Sequence, residues 1–555
     1  MNRKLLLVLL VPVVLACGAW PPRSAAGEFD RQRAVEFVHL CRNTPDRQPN
    51  LLLIYWKLKV CEAAGEAFDV NPYAEYAAGL QNADGGFGTW PRDASTAEGT
   101  LAALTVLRAA GAGPKDKSAC AANLQKCLDG QLGAAARYID LVIIREMHAC
   151  LMAMSMVDAR PPRLDEALGY LERDGRPWGW YYRVTAGKAF NQPVNDPAAW
   201  IRKLDDLASV EYLRRIWRTE DRHCAIETMH LLGGTFTYGG WIGLASYEPT
   251  STPRGPNRLG QLEDAWRNVR MARLLKQETP WLAQWLKDSA SIEPSVVPGF
   301  AGMPGMETDP SITLRAARIV GEQAMKDEMS QPAAAWLEKQ KPDGYFEEEE
   351  TKVSRWFTEV EQLQSRIDST WKALTVLHLA GVEPKDRAPV IAWLNGIADK
   401  RRQDLTSHDI LRVLECFELL GGQPAGGAGL AEHFRARFSN DAPAVVRLCM
   451  LLKIKPDLPG ADARLINMLE RVRQFDLAQP FDLPMEVGVL AEMVEAVDGL
   501  GASYPHADYI AALLGRMQRA DGGFAKPGSD HSNLYDTLAA IRMSEALRRL
   551  MKNEE

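Results

Sequence analysis

The residues with the clearest chemical potential lie in the segment TEDRHCAIETMHLLGG, residues 219–234, where Glu-x-x-His occurs twice. Glu220 stands three residues before His223, and Glu227 stands three residues before His230. At about 100° per residue, a helix presents these four side chains within a sector of roughly 80°. Imidazole and carboxylate groups together bind Zn, Fe or Mn, and Glu-x-x-His is a known metal spacing on facing helices. The segment therefore predicts a site for Zn or another divalent metal, or an acid–base site, although no cofactor is certain.

The same four residues have a simpler interpretation. Glu and His side chains three and four residues apart support each other on a solvated helix face. The opposite side of the helix carries Ala225, Ile226, Met229 and Leu232. The sequence alone leaves both interpretations open.

A short motif marks the elements that must position such residues. It reads LQNADGGFGTW from Leu80, QKPDGYF from Gln340 and QRADGGF from Gln518, and each copy follows an amphipathic helical pattern. We expect the Gln to bond free carbonyls at the end of that helix, the glycine to adopt the left-handed conformation, and the aromatic residue to cover the turn. A phosphate loop is not indicated, because the lysine or hydroxyl that such a loop needs is missing.

A longer repeat predicts the fold class. The segment LAALTVLRAAGAGPKDK from Leu101 aligns without a gap with WKALTVLHLAGVEPKDR from Trp371, at an offset of 270 residues. Strands are scarcely indicated, so the sequence predicts an all-α repeat protein. Weaker copies of the helix, closed by glycine, occur over Leu51–Gly65, Ala225–Gly234, Leu411–Gly422 and Val487–Gly499.

A proline- and glycine-rich segment predicts the domain boundary. Residues 291–311 contain four prolines and three glycines, a composition typical of a linker. We therefore predict a first repeat domain over 30–293, a linker over 294–310 and a second repeat domain over 311–555.

The N-terminus resembles an export signal. Two basic residues precede the apolar run Leu5–Ala16, which is too short to span a bilayer as a helix. The run ends at Cys17 in a lipobox-like sequence, so residues 1–17 predict a signal peptide with Cys17 lipidated, an N-terminal lipid anchor in the membrane and a location in the bacterial cell envelope. Ordinary cleavage after Ala19 or Ala26 is the alternative.

Composition excludes some partners. The net charge is −7 and the pI is near 5.9, so nothing in the charge balance attracts nucleic acid. Eight cysteines follow Cys17. Most lie in apolar helical stretches, and the sequence leaves open whether they are buried thiols or disulfides.

The Gln-x-x-Asp-Gly-Gly-Phe turn, followed by a Thr-rich helix such as STAEGTLAALTVLRAAG, resembles the repeat of protein prenyltransferase β subunits and of squalene and terpene cyclases. The resemblance covers most of the chain by periodicity, but only three turns and their following helices match strongly. It implies an α/α toroid, in which inner helices line a central apolar cavity and outer helices pack around them. It therefore implies two tandem toroids, an isoprenoid or similar apolar ligand and, if the protein is an enzyme, prenyltransferase or terpene-cyclase chemistry.

The family's functional residues match only in part. The prenyltransferases bind zinc through an Asp-x-Cys pair and a late His, and Asp536 occupies the position of that His. The nearest Asp and Cys, Asp221 and Cys224, stand one residue too far apart. We therefore expect this zinc site to be absent, although Asp536 remains a candidate catalytic residue by position.

A second candidate catalytic residue is Asp368. In SRIDSTWKALTVL it matches the central, proton-donating Asp of the cyclase motif Asp-x-Asp-Asp, but Arg366 and Ser369 replace the flanking acids. A neighbouring arginine favours the ionised carboxylate, which is a poor acid. The alternative, which we prefer, is that Asp368 or Ser369 caps the start of a helix.

Three functions follow as hypotheses. The first is an exported toroid protein that binds an apolar small molecule, with or without catalysis. The second is a non-catalytic binding or scaffold protein of the cell envelope with a protein partner. The third is an exported carbohydrate-active enzyme on an (α/α) barrel, for which Glu220 and Glu227 would need to stand about 5–10 Å apart in one cleft.

Overall fold

A computed structural model describes residues 29–43, 48–137, 140–173, 175–209, 219–235, 258–276, 279, 282, 299–306, 308, 310–347, 358–438, 441–456, 458–478, 485–525, 529 and 531–552. These residues form 22 α-helices and two strands of two residues each, so the all-α prediction is confirmed. None of the described helices is long and apolar enough to cross a membrane. The predicted signal peptide and Cys17 lie outside the described residues.

The first eleven helices are α1 Arg31–Leu40, α2 Leu51–Ala64, α3 Asn71–Gly79, α4 Ala97–Ala109, α5 Lys117–Ala135, α6 Leu141–Met156, α7 Leu164–Arg173, α8 Pro177–Ala189, α9 Pro197–Ser209, α10 Thr219–Leu231 and α11 Arg258–Leu274. The other eleven are α12 Pro310–Val320, α13 Ser330–Leu337, α14 Glu359–Ala380, α15 Arg387–Gly396, α16 Ser407–Leu419, α17 Gly427–Arg437, α18 Ala442–Leu451, α19 Ala461–Ala478, α20 Val487–Gly499, α21 Ala507–Met517 and α22 Leu534–Lys552. The strands are β1 Arg42–Asn43 and β2 Gly299–Phe300.

The chain divides into two compact units. The first comprises Asp46–Pro294 and Pro304–Glu307, and the second comprises Arg23–Pro45, Ser295–Met303 and Thr308–Glu555. The predicted end of the first domain, residue 293, is one residue from Pro294, whereas the observed unit begins at Asp46 and not at residue 30, and it also includes 304–307. Helix α1 belongs to the second unit because it packs against α12 and α22, and because β1 pairs in antiparallel register with β2.

Six helices of the first unit contact one another in a closed series. Helix α2 packs against α4, α4 against α6, α6 against α8, α8 against α10, α10 against α11, and α11 returns to α2. We call these six helices the first series. Helices α3, α5, α7 and α9 pack against the series members that follow them in the sequence.

The second unit repeats this order of contacts. Helix α12 packs against α14, and the contacts continue through α16, α18, α20 and α22, which returns to α12. We call these six helices the second series. Each of α13, α15, α17, α19 and α21 packs against the series helix that follows it.

Polar side chains set the beginnings of the helices. The Thr96 side chain accepts a hydrogen bond from the backbone N–H of Gly99 at the start of α4. Thr358 forms a capping box with Glu361 at the start of α14. Ser, Thr, Asn and Asp are favoured at this position because they satisfy N–H groups that the helix leaves unpaired.

The repeated turn joins one helix pair to the next. The Gln81 Nε2 donates to Asp116 O at 2.9 Å, and the Asp116 backbone N–H donates to Gln81 Oε1 at 3.1 Å. Asp116 is the N-cap of α5. The prediction that the Gln bonds the end of the preceding helix is therefore wrong. A carboxamide has both a donor and an acceptor, and here both pair with the backbone of Asp116 at the start of α5.

The other two copies make the same connection. Gln340 pairs in this way with the backbone of Asp386, the N-cap of α15, and Gln518 pairs with that of Asp30, the N-cap of α1. The Gln of the last turn therefore bonds the N-cap of α1 in the same way as the Gln of the first turn bonds the N-cap of α5. The N-terminal helix completes the last repeat of the second unit.

The aromatic residue of the turn is buried in all three copies, and its backbone N–H is bonded to the following series helix. Phe87 N donates to Thr100 Oγ1 at 3.1 Å, and Phe524 N donates to Thr537 Oγ1 at 3.0 Å. Phe300 N donates to Thr313 Oγ1 at 3.2 Å, so the predicted linker contains a fourth, diverged turn. The sequence did not reveal this copy because its Gln and Asp are missing.

Replacing Gln518 with alanine should loosen helix α1. The variant loses both bonds to Asp30 and the bond from Gln518 Nε2 to Gly522 O within the turn, each of which contributes about 1 kcal/mol. Because α1 has only ten residues and packs against α12 and α22, the loss should appear as local opening of this helix. We expect amide hydrogen exchange in α1 to accelerate by roughly tenfold or more, with little change elsewhere.

The matched control is Gln474→Ala. The Gln474 side chain is exposed and bonds only Glu470 within its own helix. If amide hydrogen exchange in α1 is unchanged in the Gln518→Ala variant, the Gln518 side chain does not stabilise the start of this helix.

Candidate functional site

A cavity of about 950 Å³ lies within the second unit. All six helices of the second series contribute to its walls, together with Arg31 of α1. Its volume is in the range of small-molecule sites. The cavity is therefore the best candidate for a binding site in the described part of the chain.

The walls of the cavity carry charge of both signs. Seven basic and seven acidic residues line it, beside aliphatic side chains and Trp371. The resemblance implies an apolar cavity, whereas this lining is mixed. The sequence did not indicate this difference, because each charged residue lies on a helix whose other residues follow the ordinary amphipathic pattern.

Most of the wall charges join adjacent helices. Arg447 of α18 pairs with Glu415 of α16, and Arg542 of α22 pairs with Glu495 of α20 at 3.5 Å. In the described part of the chain, Arg315 and Glu492 form no such pair. A partly closed site with unpaired charges has electrostatic preference for charged ligand groups.

Asp368 is not a helix cap. Helix α14 begins at Glu359, capped by Thr358, so Asp368 lies in its third turn and the preferred capping interpretation is wrong. Its carboxylate forms ion pairs with Arg412 of α16 and, at 3.0 Å, with Lys372. This carboxylate joins two series helices and is not among the residues that line the cavity.

Asp536 lies in the first turn of α22 and is 3 % exposed. Its carboxylate accepts a hydrogen bond from Asn533 Nδ2 at 2.7 Å, and its backbone N–H donates to Asn533 Oδ1 at 2.8 Å. These reciprocal bonds stabilise the start of the helix. Asp536 is likewise not among the residues that line the cavity, and its catalytic role stays a prediction.

The four predicted metal ligands are not gathered around one point. His223 and Glu227 are buried, whereas the His230 side chain is exposed. Glu220 lies 3.5 Å from Arg267, and Glu227 lies 2.6 Å from Arg270. Among the residues that the structure describes, no three His, Cys, Asp or Glu side chains are grouped in a way that could hold a metal ion.

Helix α10 is therefore not a simple amphipathic helix. Ala225, Ile226 and Met229 pack in an apolar cluster with residues of α8, α9 and α11, while His223 and Glu227 are buried on another side. The predicted solvated face is wrong for these two residues. Because α10 packs between α8, α9 and α11, most of its circumference is buried.

A charge network in the first unit was not predicted. Arg145 of α6 lies 3.4 Å from Glu98 and 3.1 Å from Glu263, and Arg267 lies 2.5 Å from Glu263 and 3.5 Å from Glu220. Burial raises the pKa of Glu263, although the two arginines oppose the shift. The network joins α4, α6, α10 and α11, and the carboxylates it contains are neutralised by neighbouring cations.

Two buried histidines accompany this network. The His148 ring stacks on Tyr182 with centroids 4.4 Å apart, and the His223 ring lies 4.6 Å from the Trp266 ring. Burial lowers the pKa of His148 to about 3 and holds that of His223 well below its usual range. Both imidazoles are therefore neutral at neutral pH.

All eight cysteines after Cys17 are free thiols, and seven of them are buried. Burial raises the pKa of Cys120 to about 11. The protonated thiols act as small apolar groups in the helix interfaces.

Comparison with protein-family models yields no match, and no curated protein matches the sequence. The structure defines this chain as an all-α helical protein with two compact units. What distinguishes it is the charge-lined cavity of its second unit.

Proposed function

We propose that each unit is an α/α toroid in which the series helices are the inner helices and their partners are the outer ones. Two observations support this arrangement. The contacts of each series close on themselves, and the repeated turn connects the end of one outer helix to the cap of the next. Both are expected of the superfamily that the turn sequence resembles.

The function that best fits this arrangement is non-catalytic binding of a small, charge-bearing molecule by the second unit, in the cell envelope. The cavity of about 950 Å³, with its seven basic and seven acidic lining residues, carries this proposal. An isoprenoid fits these walls less well, because apolar ligand atoms would remove charged groups from water without compensation. The envelope location and the lipid anchor rest on residues 1–17 alone.

The candidate catalytic carboxylates are engaged in ion pairs or hydrogen bonds, which favours binding over catalysis. Asp368 is held between Arg412 and Lys372, and Asp536 is bonded to Asn533. Glu220 and Glu227, which a carbohydrate-active enzyme would need, each pair with an arginine. A proton donor must face its substrate, and none of these four carboxylates lines the cavity.

Native mass spectrometry of the purified full chain, followed by solvent extraction, tests the proposal. We expect a stoichiometric polar molecule on the protein as isolated, or after incubation with a small-molecule extract of envelope preparations. Elemental analysis of the same sample tests the metal hypothesis, since a bound metal that His223→Ala removes would support it.

A cavity-filling variant locates the ligand. Ala444 lines the cavity, so Ala444→Trp should abolish the bound mass, whereas Ala388→Trp, at an exposed position of α15, should retain it. Protein that stays empty under both conditions contradicts the binding function and favours a scaffold for a protein partner. A polyprenyl mass that Ala444→Trp removes would instead support the apolar-ligand hypothesis.

A further inference from the structure

The charges that line the cavity can be accounted for almost completely. Ten of the fourteen charged lining residues form five ion pairs with one another. These pairs are Arg31–Glu545, Arg318–Glu418, Arg447–Glu415, Arg542–Glu495 and Arg549–Asp498. Charges already neutralised in this way have little attraction left for a ligand.

Two of the remaining four residues do not require a ligand. Asp441 is the N-cap of α18, and its carboxylate accepts a hydrogen bond from Ala444 N at 3.2 Å. Lys453 lies beyond the C-cap of α18 and is therefore not on any of the six helices that form the walls. Arg315 and Glu492 are left, one of each sign.

Arg315 is a cation without a counter-ion. It lies on α12, and it forms no hydrogen bond or ion pair with any other described residue. Burial, aided by the positive charges of Arg447 and Arg542, lowers the pKa of Arg315 to about 10. A guanidinium in this situation is ready for a carboxylate, which it binds through two parallel hydrogen bonds.

Glu492 is the complementary case. It lies on α20, lines the cavity with an exposed side chain and has no cation paired with it in the described part of the chain. Partial desolvation by the surrounding protein raises the pKa of Glu492. An ammonium group would restore the lost stabilisation of the carboxylate.

The two unpaired charges do not neutralise each other. Arg315 and Glu492 share Arg447, Arg542 and Glu495 as electrostatic neighbours, but they form no ion pair with each other. Their helices are not adjacent in the second series, since α22 lies between them in the order of contacts. The two groups are therefore both available to a ligand that carries one charge of each sign.

We propose that the cavity binds a small zwitterion, such as a short peptide or an amino acid, with its carboxylate on Arg315 and its ammonium on Glu492. The equal numbers of acidic and basic lining residues suit a ligand of zero net charge. The inference rests on the proposed binding function and specifies its ligand class.

Isothermal titration calorimetry on the full chain tests the proposal with four probes. Two of them, ε-aminocaproate and trialanine, carry both charges. Caproate carries only the carboxylate and hexylamine only the ammonium. We expect ε-aminocaproate and trialanine to bind at least about tenfold more tightly than the two singly charged probes, since each lost charge-assisted bond costs more than 1.4 kcal/mol.

Variants assign the two ends of the ligand. Arg315→Met should reduce the affinity for ε-aminocaproate to that of hexylamine, and Glu492→Gln should reduce it to that of caproate. Arg315→Lys, which keeps the charge, should weaken binding about tenfold through loss of the paired hydrogen bonds. This variant tests the role of Arg315 if Arg315→Met does not fold. Arg471→Met is the matched control, because Arg471 is an exposed arginine of α19 in the same unit and does not line the cavity.

Two outcomes would overturn the inference. One is binding of ε-aminocaproate that neither Arg315→Met nor Glu492→Gln weakens. The other is tighter binding of inorganic pyrophosphate than of any zwitterion, which would make Arg315 part of a simple anion site. If no probe binds, but native mass spectrometry finds a molecule that Ala444→Trp removes, the zwitterion proposal is wrong and the binding function stands. If no probe binds and native mass spectrometry finds no such molecule, the zwitterion proposal and the binding function are both wrong.

Discussion

Replacement of Gly85 by alanine is expected to destabilise the first unit by roughly 3 kcal/mol or more. Gly85 has a φ of +87°, and a Cβ atom there would overlap the backbone of Ala119 and Cys120 in the first turn of α5. The substitution combines left-handed strain with a steric overlap that only a shift of α5 can relieve. Thermal unfolding followed by circular dichroism should show a lower melting temperature, by about 6 °C or more for a unit of this size.

The control separates the two contributions. Gly111 has a φ of +69°, but nothing lies within 4 Å of the position of its missing Cβ atom. Gly111→Ala should therefore cost only the left-handed strain of about 1–2 kcal/mol. Equal losses in the two variants would show that the close approach of the turn to the next helix contributes nothing.

The second large effect is expected from Arg270→Met. Glu227 is 2 % exposed, and its carboxylate lies 2.6 Å from Arg270 Nε. Removal of the arginine leaves a buried carboxylate without its cation, which typically costs about 3–5 kcal/mol. We expect the lower part of this range, because Arg270 is partly exposed and water can approach the remaining charge.

A double variant tests the cause. Arg270→Met combined with Glu227→Met removes both charges and should recover most of the lost stability, because an apolar pair can replace a buried ion pair without loss. Arg108→Met is the control at an exposed position of α4 and should be close to neutral. A double variant no more stable than Arg270→Met alone would contradict an electrostatic origin of the loss.

The fold was predictable where it depends on local signals. The pattern over Val487–Gly499 predicts a helix, and α20 has those bounds. The glycines of the three turns were expected in the left-handed conformation, and Gly85, Gly344 and Gly522 all have positive φ values. Such features depend on the conformation of a few consecutive residues, which the residue types themselves restrict.

The candidate site was much less predictable. Glu220 and Glu227 were selected because they share one helix with two histidines, but each is neutralised by an arginine of α11, some forty residues further along the chain. Asp368 was interpreted from its neighbours Arg366 and Ser369, whereas its main partner is Arg412 of the next series helix. Arg315 and Glu492 showed no signal, since only the lack of a partner distinguishes them from other charged helix residues.

By itself, the sequence determined that the chain is all-α, where several helices end, and that one turn recurs with glycine in a left-handed conformation. These properties follow from helix propensity, capping and backbone sterics over short distances. Only the tertiary structure decided that the last turn bonds the start of α1 and which charges neutralise one another. It also decided that Arg315 and Glu492 line the cavity without an ion-pair partner among the described residues. These properties depend on pairs of residues far apart in sequence. The strength of the electrostatic interactions between them depends on burial, which is set only when the helices pack.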